Sequence, residues 1–70
     1  MFSAMNNSQR SFPELVGRSA HEAVAYISAK GLHPQVLRAN DPMTADLRMD
    51  RVRIIVDPTR TYVIKTPTLG

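Results

Sequence analysis

The sequence predicts an α+β fold: a single helix packed on a small mixed β-sheet, with one long exposed loop and no disulfides. Three observations carry this expectation. One capped stretch of helical periodicity is followed only by short β-branched runs, a long polar segment separates two of those runs, and cysteine is absent from the 70 residues. The long separation makes a parallel pairing reachable, whereas the tight turn that follows it suits an antiparallel one. One helix covering such a sheet is an α+β arrangement.

The elements follow in order along the chain. Residues 1–10 are polar and rich in Asn and Ser, and read as a disordered N-terminal extension ahead of a domain at 11–70. Phe12-Pro13-Glu14-Leu15-Val16-Gly17 is a short ordered lead-in in which Phe12 can serve as an apolar plug. Ser19-Ala20-His21-Glu22 has the capping-box spacing, so a helix is expected over residues 20–30, with Gly31 at its left-handed C-terminal cap and Lys30 at the negative end of the dipole. Ala20, Ala23, Val24 and Ile27 share one face of it. Residues 34–37 read as a short strand, and Asn40-Asp41-Pro42 opens the long loop.

Residues 51–56 form the strongest predicted strand. Alternation puts Val52, Ile54 and Val56 in the core and leaves Arg51 and Arg53 outside it. Asp57-Pro58-Thr59-Arg60 is a turn. A last strand is expected over residues 61–65, with Val63 pointing inward and Pro67 ending the pairing.

Size and charge narrow the function classes. A chain this short buries only about 60% of the surface its unfolded form exposes, which leaves little room for an enzyme's deep cleft, and no constellation of residues recommends catalysis. The lack of cysteine removes disulfides, thiolate chemistry and cysteine-ligated zinc, while leaving the compartment open. Seven arginines and two lysines stand against six carboxylates, for a net charge of +3 without a block of like charge. That is a weak nucleic-acid footprint. No apolar run approaches the roughly 20 residues needed to span a bilayer, and residues 1–10 lack the pattern of a secretory signal.

The segment Asp41-Pro42-Met43-Thr44-Ala45-Asp46-Leu47-Arg48-Met49-Asp50-Arg51-Val52-Arg53 carries the most information. Arg51 and Arg53 leave one face of the strand and can lean back over the preceding loop, toward the Thr44 hydroxyl and the Asp46 carboxylate. Charge-assisted hydrogen bonds of that kind can hold a loop extended and substrate-like. Taken alone, two alternate arginines also suit a solvated strand face. Arg48 reads as an ordinary surface charge, and Met43 and Met49 suit a partner or the domain's own core equally. His21 and His33 have no neighbouring ligands in sequence, so no metal or other cofactor is expected. Ser19 is a cap, not a nucleophile.

Taken together, Ser11-Phe12-Pro13-Glu14-Leu15-Val16-Gly17, the helix opening at Ser19, Pro42 through Arg48, Asp50-Arg51-Val52-Arg53, Pro67 and Gly70 resemble the potato inhibitor I family of serine protease inhibitors. The likeness covers about residues 11–70. It implies that the loop is a protease-binding loop whose reactive bond is Ala45–Asp46, flanked by Pro42, Met43, Thr44, Leu47 and Arg48. It implies further that Arg51 and Arg53 support Thr44 and Asp46, and that a terminal carboxylate at Gly70 supports the arginines. The partner implied is a serine protease of subtilisin-like, elastase-like or chymotrypsin-like kind, met by a monomer and without nucleic acid or membrane. Arg38 and Asn40 stand where relatives carry Pro and Gly, Ala45 is smaller than the Leu or Met of well-known members, and Phe12 takes the place of a buried tryptophan. A second reading is a small basic interaction domain, with nucleic acid as one candidate partner, in which the loop is inactive; salt-sensitive binding without inhibition separates the two.

Overall fold

Helix α1 spans Ala20–Ala29 in the computed structural model, which describes residues 10–42 and 48–70. Its start is set by Ser19, whose hydroxyl accepts the Glu22 N–H at 3.0 Å, the N-cap bond that a helix's orphan amides require. The Glu22 carboxylate returns to that hydroxyl at 3.4 Å and also meets the Arg18 guanidinium at 3.8 Å. Its end is a Schellman motif. The Gly31 N–H reaches the Ser28 carbonyl at 3.0 Å and the Leu32 N–H reaches that of Ile27 at 3.4 Å, with Gly31 at φ +79°. A side chain at that φ costs roughly 1–2 kcal/mol, which is why glycine stands there. Lys30 is therefore the cap residue and not the last helical one.

The sheet contains β1 (His33–Arg38), β2 (Arg51–Val56) and β3 (Thr68–Leu69) in that spatial order. Strands β1 and β2 run parallel, with His33 opposite Arg51 and Arg38 opposite Val56, whereas β3 is antiparallel to β2, with Leu69 opposite Val52. The mixed sheet under one helix bears out the predicted class. Ala23 and Ile27 of α1 meet Val52, Ile54 and Val56 in one core, closed by Phe12, Leu15 and Val63. Phe12 is fully buried, seated edge-on against the Tyr26 ring at 6.3 Å between centroids, and so acts as the predicted plug.

Two sequence expectations are corrected. Residues 61–65 do not form a continuous strand, and Pro67 does not end the pairing. The free edge of β2 is instead shared by two segments. Val63 and Ile64 pair with its C-terminal half, through a Val56 to Val63 bridge and an Ile64 N–H bond to the Ile55 carbonyl at 2.9 Å. Thr68 and Leu69 pair with its N-terminal half. Pro67 lies between them, fully buried, and its carbonyl accepts the Phe12 N–H at 2.9 Å. A proline cannot donate to a ladder, but it can pack and accept. Val63 does point inward, while Tyr62 and Ile64 are exposed.

The arginines lie outside the apolar core, as alternation predicts, but their face is not a solvated one. Both faces of β2 are covered, and Arg51 is only 8% exposed. It stays out of the apolar core, but it is no solvated side chain. Arg10, placed by the sequence in the disordered leader, already takes part in the fold: its carbonyl accepts the Leu69 N–H at 2.8 Å. The expectations for residues 1–9 and for Met43, Thr44, Ala45, Asp46 and Leu47 lie outside the described residues.

The parallel register dictates what residues 39–50 must do. The chain leaves β1 at the Arg38 end and re-enters β2 at the opposite end, beside His33. That return is about 17 Å for a six-residue strand, against a contour of roughly 40 Å for the connection. Parallel strands usually fill such a crossover with a helix. The described residues of this connection, 39–42 and 48–50, form neither helix nor strand, and its contour leaves slack that an anchor at the leading end can take up.

Candidate functional site

The loop has a leading stem after β1 and a trailing stem before β2, and the register surrounds each with different neighbours. Because Arg38 faces Val56, the turn that follows Val56 stands beside the leading stem. Because Leu69 faces Val52, Gly70 stands beside the trailing stem.

At the trailing stem Arg51 is tied to Gly70 twice. The Arg51 Nε–H donates to the Gly70 oxygen at 3.3 Å, and the Gly70 N–H donates to the Arg51 carbonyl at 2.8 Å. Arg53 lies two positions along on the same strand face, partly buried, at the level of Thr68. A guanidinium held this far from water needs fixed acceptors, and β2 carries Arg51 and Arg53 on one face, just after the stem that enters the strand at Asp50. Asp50 then fastens the strand's approach. Its carbonyl accepts the His33 N–H at 2.7 Å, and its carboxylate lies 3.5 Å from Arg48 Nε and 3.6 Å from His33 Nε2. Partial desolvation opposes the charge on Asp50, but its own amide, Arg48 and His33 outweigh it and draw the pKa down.

At the leading stem Arg38 and Asp41 close a small ring. The Asp41 carboxylate accepts the Arg38 N–H at 3.0 Å through Oδ2 and the Arg38 guanidinium at 3.3 Å through Oδ1, while the Asp41 N–H donates back to the Arg38 carbonyl at 2.9 Å. The Arg38 amide bond, foremost, holds the Asp41 carboxyl below its usual range. Pro58 of the neighbouring turn lines the same crevice as residues 38–41.

That turn is organised by Asp57. Its carboxylate accepts the Thr59 hydroxyl, the Thr61 N–H at 2.7 Å and the Tyr62 N–H at 2.9 Å. These bonds, the Thr59 hydroxyl first, lower the Asp57 pKa to about 2. Arg60 completes the turn at φ 61°, with its N–H on the Asp57 carbonyl at 2.8 Å.

Of the residues singled out by sequence, the structure brings Arg51, Arg53 and Gly70 together at the trailing stem, with exposed Arg48 near them on Asp50. Pro42 is exposed at the leading stem, while Met43, Thr44, Ala45, Asp46 and Leu47 are not among the described residues. Sequence reasoning passed over the pairing of Arg38 with Asp41 and the Asp50 contacts. The signal for the first was present: Asp41 follows Arg38 by three positions and precedes a proline, the spacing of a side-chain-closed turn. Among the described residues no group of three His, Cys, Asp or Glu side chains could hold a metal ion, and no helix is long and apolar enough to cross a membrane.

Comparison with known proteins agrees with this geometry. The chain is similar to the Glu S. griseus protease inhibitor of Momordica charantia, at 38% identity over 64 residues, covering 89% of this chain and 93% of that protein. It is similar to eglin C of Hirudo medicinalis, at 35% identity over 65 residues, covering 87% and 90%. The crystal structure of bitter gourd trypsin inhibitor superposes with a TM-score of 0.80 at 33% identity, over 89% of this chain and 93% of that one. The profile of the potato inhibitor I family matches residues 4–70, and the chain therefore belongs to that family, whose members are protease inhibitors and not enzymes.

Proposed function

We propose that this chain inhibits serine proteases as a substrate that is not turned over, presenting the Ala45–Asp46 bond in a rigid extended loop. The observation that carries the reading is the double tie between Arg51 and Gly70 on a buried strand face, beside Arg53 and next to the stem by which the loop returns. In this reading Arg51 and Arg53 donate to Asp46 and Thr44, and Gly70 backs the arginines. Pro42, Met43, Thr44, Leu47 and Arg48 supply the flanking contact surface.

The mechanism follows from the protease's own chemistry. The serine oxygen attacks the Ala45 carbonyl carbon, and the bond to the Asp46 nitrogen breaks as the catalytic histidine gives that nitrogen a proton. A free peptide would then lose its amine half, and water would hydrolyse the ester. Here the braces keep the Asp46 amine beside the ester carbonyl, where its effective concentration far exceeds that of a diffusing group. Return of the amine expels the serine oxygen and restores the bond. A loop fixed in its bound shape also loses little conformational entropy on docking. An interface on the order of 800 Å² per partner is typical of such complexes.

Specificity follows Ala45. Its methyl group suits the small primary pocket of an elastase-like enzyme and the roomier apolar pocket of a subtilisin-like one. Some relatives are named trypsin inhibitors, but Ala45 offers no cation to an acidic pocket, so trypsin is the poorest target. Titration against subtilisin, elastase, chymotrypsin and trypsin tests this reading. Stoichiometric one-to-one loss of activity with the first two, and mass spectrometry placing the slow nick after Ala45, are the expected results. Full protease activity at molar excess of the chain would end the proposal.

A further inference from the structure

We propose that Asp41 is a positioning residue for the protease-binding loop: its carboxylate, locked onto Arg38, fixes the direction in which the chain leaves β1. This rests on the inhibitor reading above, and it concerns the stem that lies farthest from the two arginines of β2.

The geometry confines Asp41 from several sides. Oδ2 holds the Arg38 amide, Oδ1 holds the Arg38 guanidinium, and the Asp41 amide closes the ring on the Arg38 carbonyl. The Asp41 side chain is 22% exposed, against 45% for Arg38. Pro42 follows directly; it fixes its own φ and bars the residue before it from the helical region. The four-residue turn 38–41 is thereby closed at its base and pointed at its exit. The turn after β2 packs from the other side, with Pro58 in the same crevice and the Arg60 charge acting on Asp41. Asp57 keeps that turn itself rigid.

This arrangement meets the need created by the crossover's slack. The trailing stem enters a hydrogen-bonded strand and is aligned by it. Among the described residues the leading stem has no ladder beyond Arg38, so the ring closed by Asp41 supplies the alignment. A leading stem that swings moves the acyl half of the reactive bond, and religation depends on where that half sits relative to the amine.

The test uses the full chain with subtilisin, following hydrolysis of the loop in the complex by mass spectrometry and thermal stability of the free protein. Asp41→Ala is expected to speed hydrolysis about tenfold, the effect of losing charge-assisted bonds to one carboxylate. Asp41→Asn retains an acceptor for the Arg38 amide and should recover most of the loss. Arg38→Ala removes only the guanidinium arm and should raise the rate by about threefold. Gly31→Ala serves as a control that lowers stability from a site remote from the loop. If Asp41→Ala and Asp41→Asn both stay within about twofold of the parent, or if Gly31→Ala speeds hydrolysis as much as Asp41→Ala, the positioning role is overturned while the inhibitor reading stands. If the parent itself is consumed like an unstructured peptide, the inhibitor reading falls and takes this proposal with it.

Discussion

The two stems of the loop are anchored by different physics. The trailing stem runs into β2, and its arginine is buried on the strand and tied twice to a residue 19 positions away. The leading stem is held by one half-buried carboxylate acting within four residues, with a second aspartate stiffening the turn beside it. Long-range anchoring of the first kind is part of the fold, so disturbing it disturbs both the sheet edge and the loop. Local anchoring of the second kind is separable, because its partners lie within a few residues and face water. A loop gripped in both ways can vary in the leading stem without endangering the domain, which accounts for a chain that carries Arg38 and Asn40 there and still keeps the family's fold.

Removing Arg51 should give the largest effect and sharpen the contrast most. Arg51→Ala deletes the bond to Gly70 and opens a space in a covered face. Hydrogen bonds to charged groups are worth about 1.5–3 kcal/mol each, so loop hydrolysis by subtilisin should rise about 10- to 100-fold. Thermal stability should fall by several degrees, since roughly 1 kcal/mol moves the midpoint of a domain this small by about 4–8 °C. Faster hydrolysis with an unmoved midpoint would show that the trailing anchor is as separable as the leading one, and the contrast would fail.

How much of this was legible in the residues follows the same division. Caps and core alternation depend on neighbours in sequence, and Ser19, Gly31, Val52, Ile54, Val56 and Val63 all sit where their local pattern predicts. The failures occurred where two distant segments compete for one partner. The apolar run Tyr62-Val63-Ile64 looks like a whole strand, yet β2 offers it only its C-terminal half because Thr68 and Leu69 occupy the rest. Burial of Arg51 was hidden for a related reason. Strand parity says which face a side chain takes but not whether Gly70 comes back to cover it. At the site, the arginine pair and Gly70 were legible through the family's pattern. The ring between Arg38 and Asp41 had only a local signal, an aspartate three positions on and just before a proline, which the family's pattern does not point to.

The Asp57 turn allows the leading side to be probed through pH. The folded-state pKa of Asp57 is lowered to about 2. Between the ordinary carboxylate range and that value, the unfolded chain binds the proton and the folded one does not. The Asp57 contribution is therefore complete above about pH 4, and it is lost as pH falls toward 2. Urea midpoints should drop across this window in the parent. Asp57→Asn should flatten the drop in part, leaving the shares of Asp41 and Asp50, whose pKa values are also lowered. At neutral pH its loop hydrolysis should stay within about threefold of the parent, as expected for a residue that touches the loop only through its turn. A drop of the same size in the variant would remove Asp57 as the organiser of the turn.

Arg60 should give the smallest effect, with opposite signs for fold and loop. It adopts φ 61°, a conformation that glycine takes freely and an arginine does not. Placing glycine there relieves roughly 1–2 kcal/mol of backbone strain but adds about 0.5–1 kcal/mol of unfolded-state entropy. Arg60→Gly should therefore raise thermal stability by only a few degrees. The same change deletes the second positive charge that bears on Asp41. Loop hydrolysis should then quicken by a factor of about two, the scale of a screened surface interaction. A gain in stability with slower hydrolysis would mean that Arg60 strains the leading stem instead of steadying it. A gain with slightly faster hydrolysis would show a strained residue retained for what its charge does to the loop.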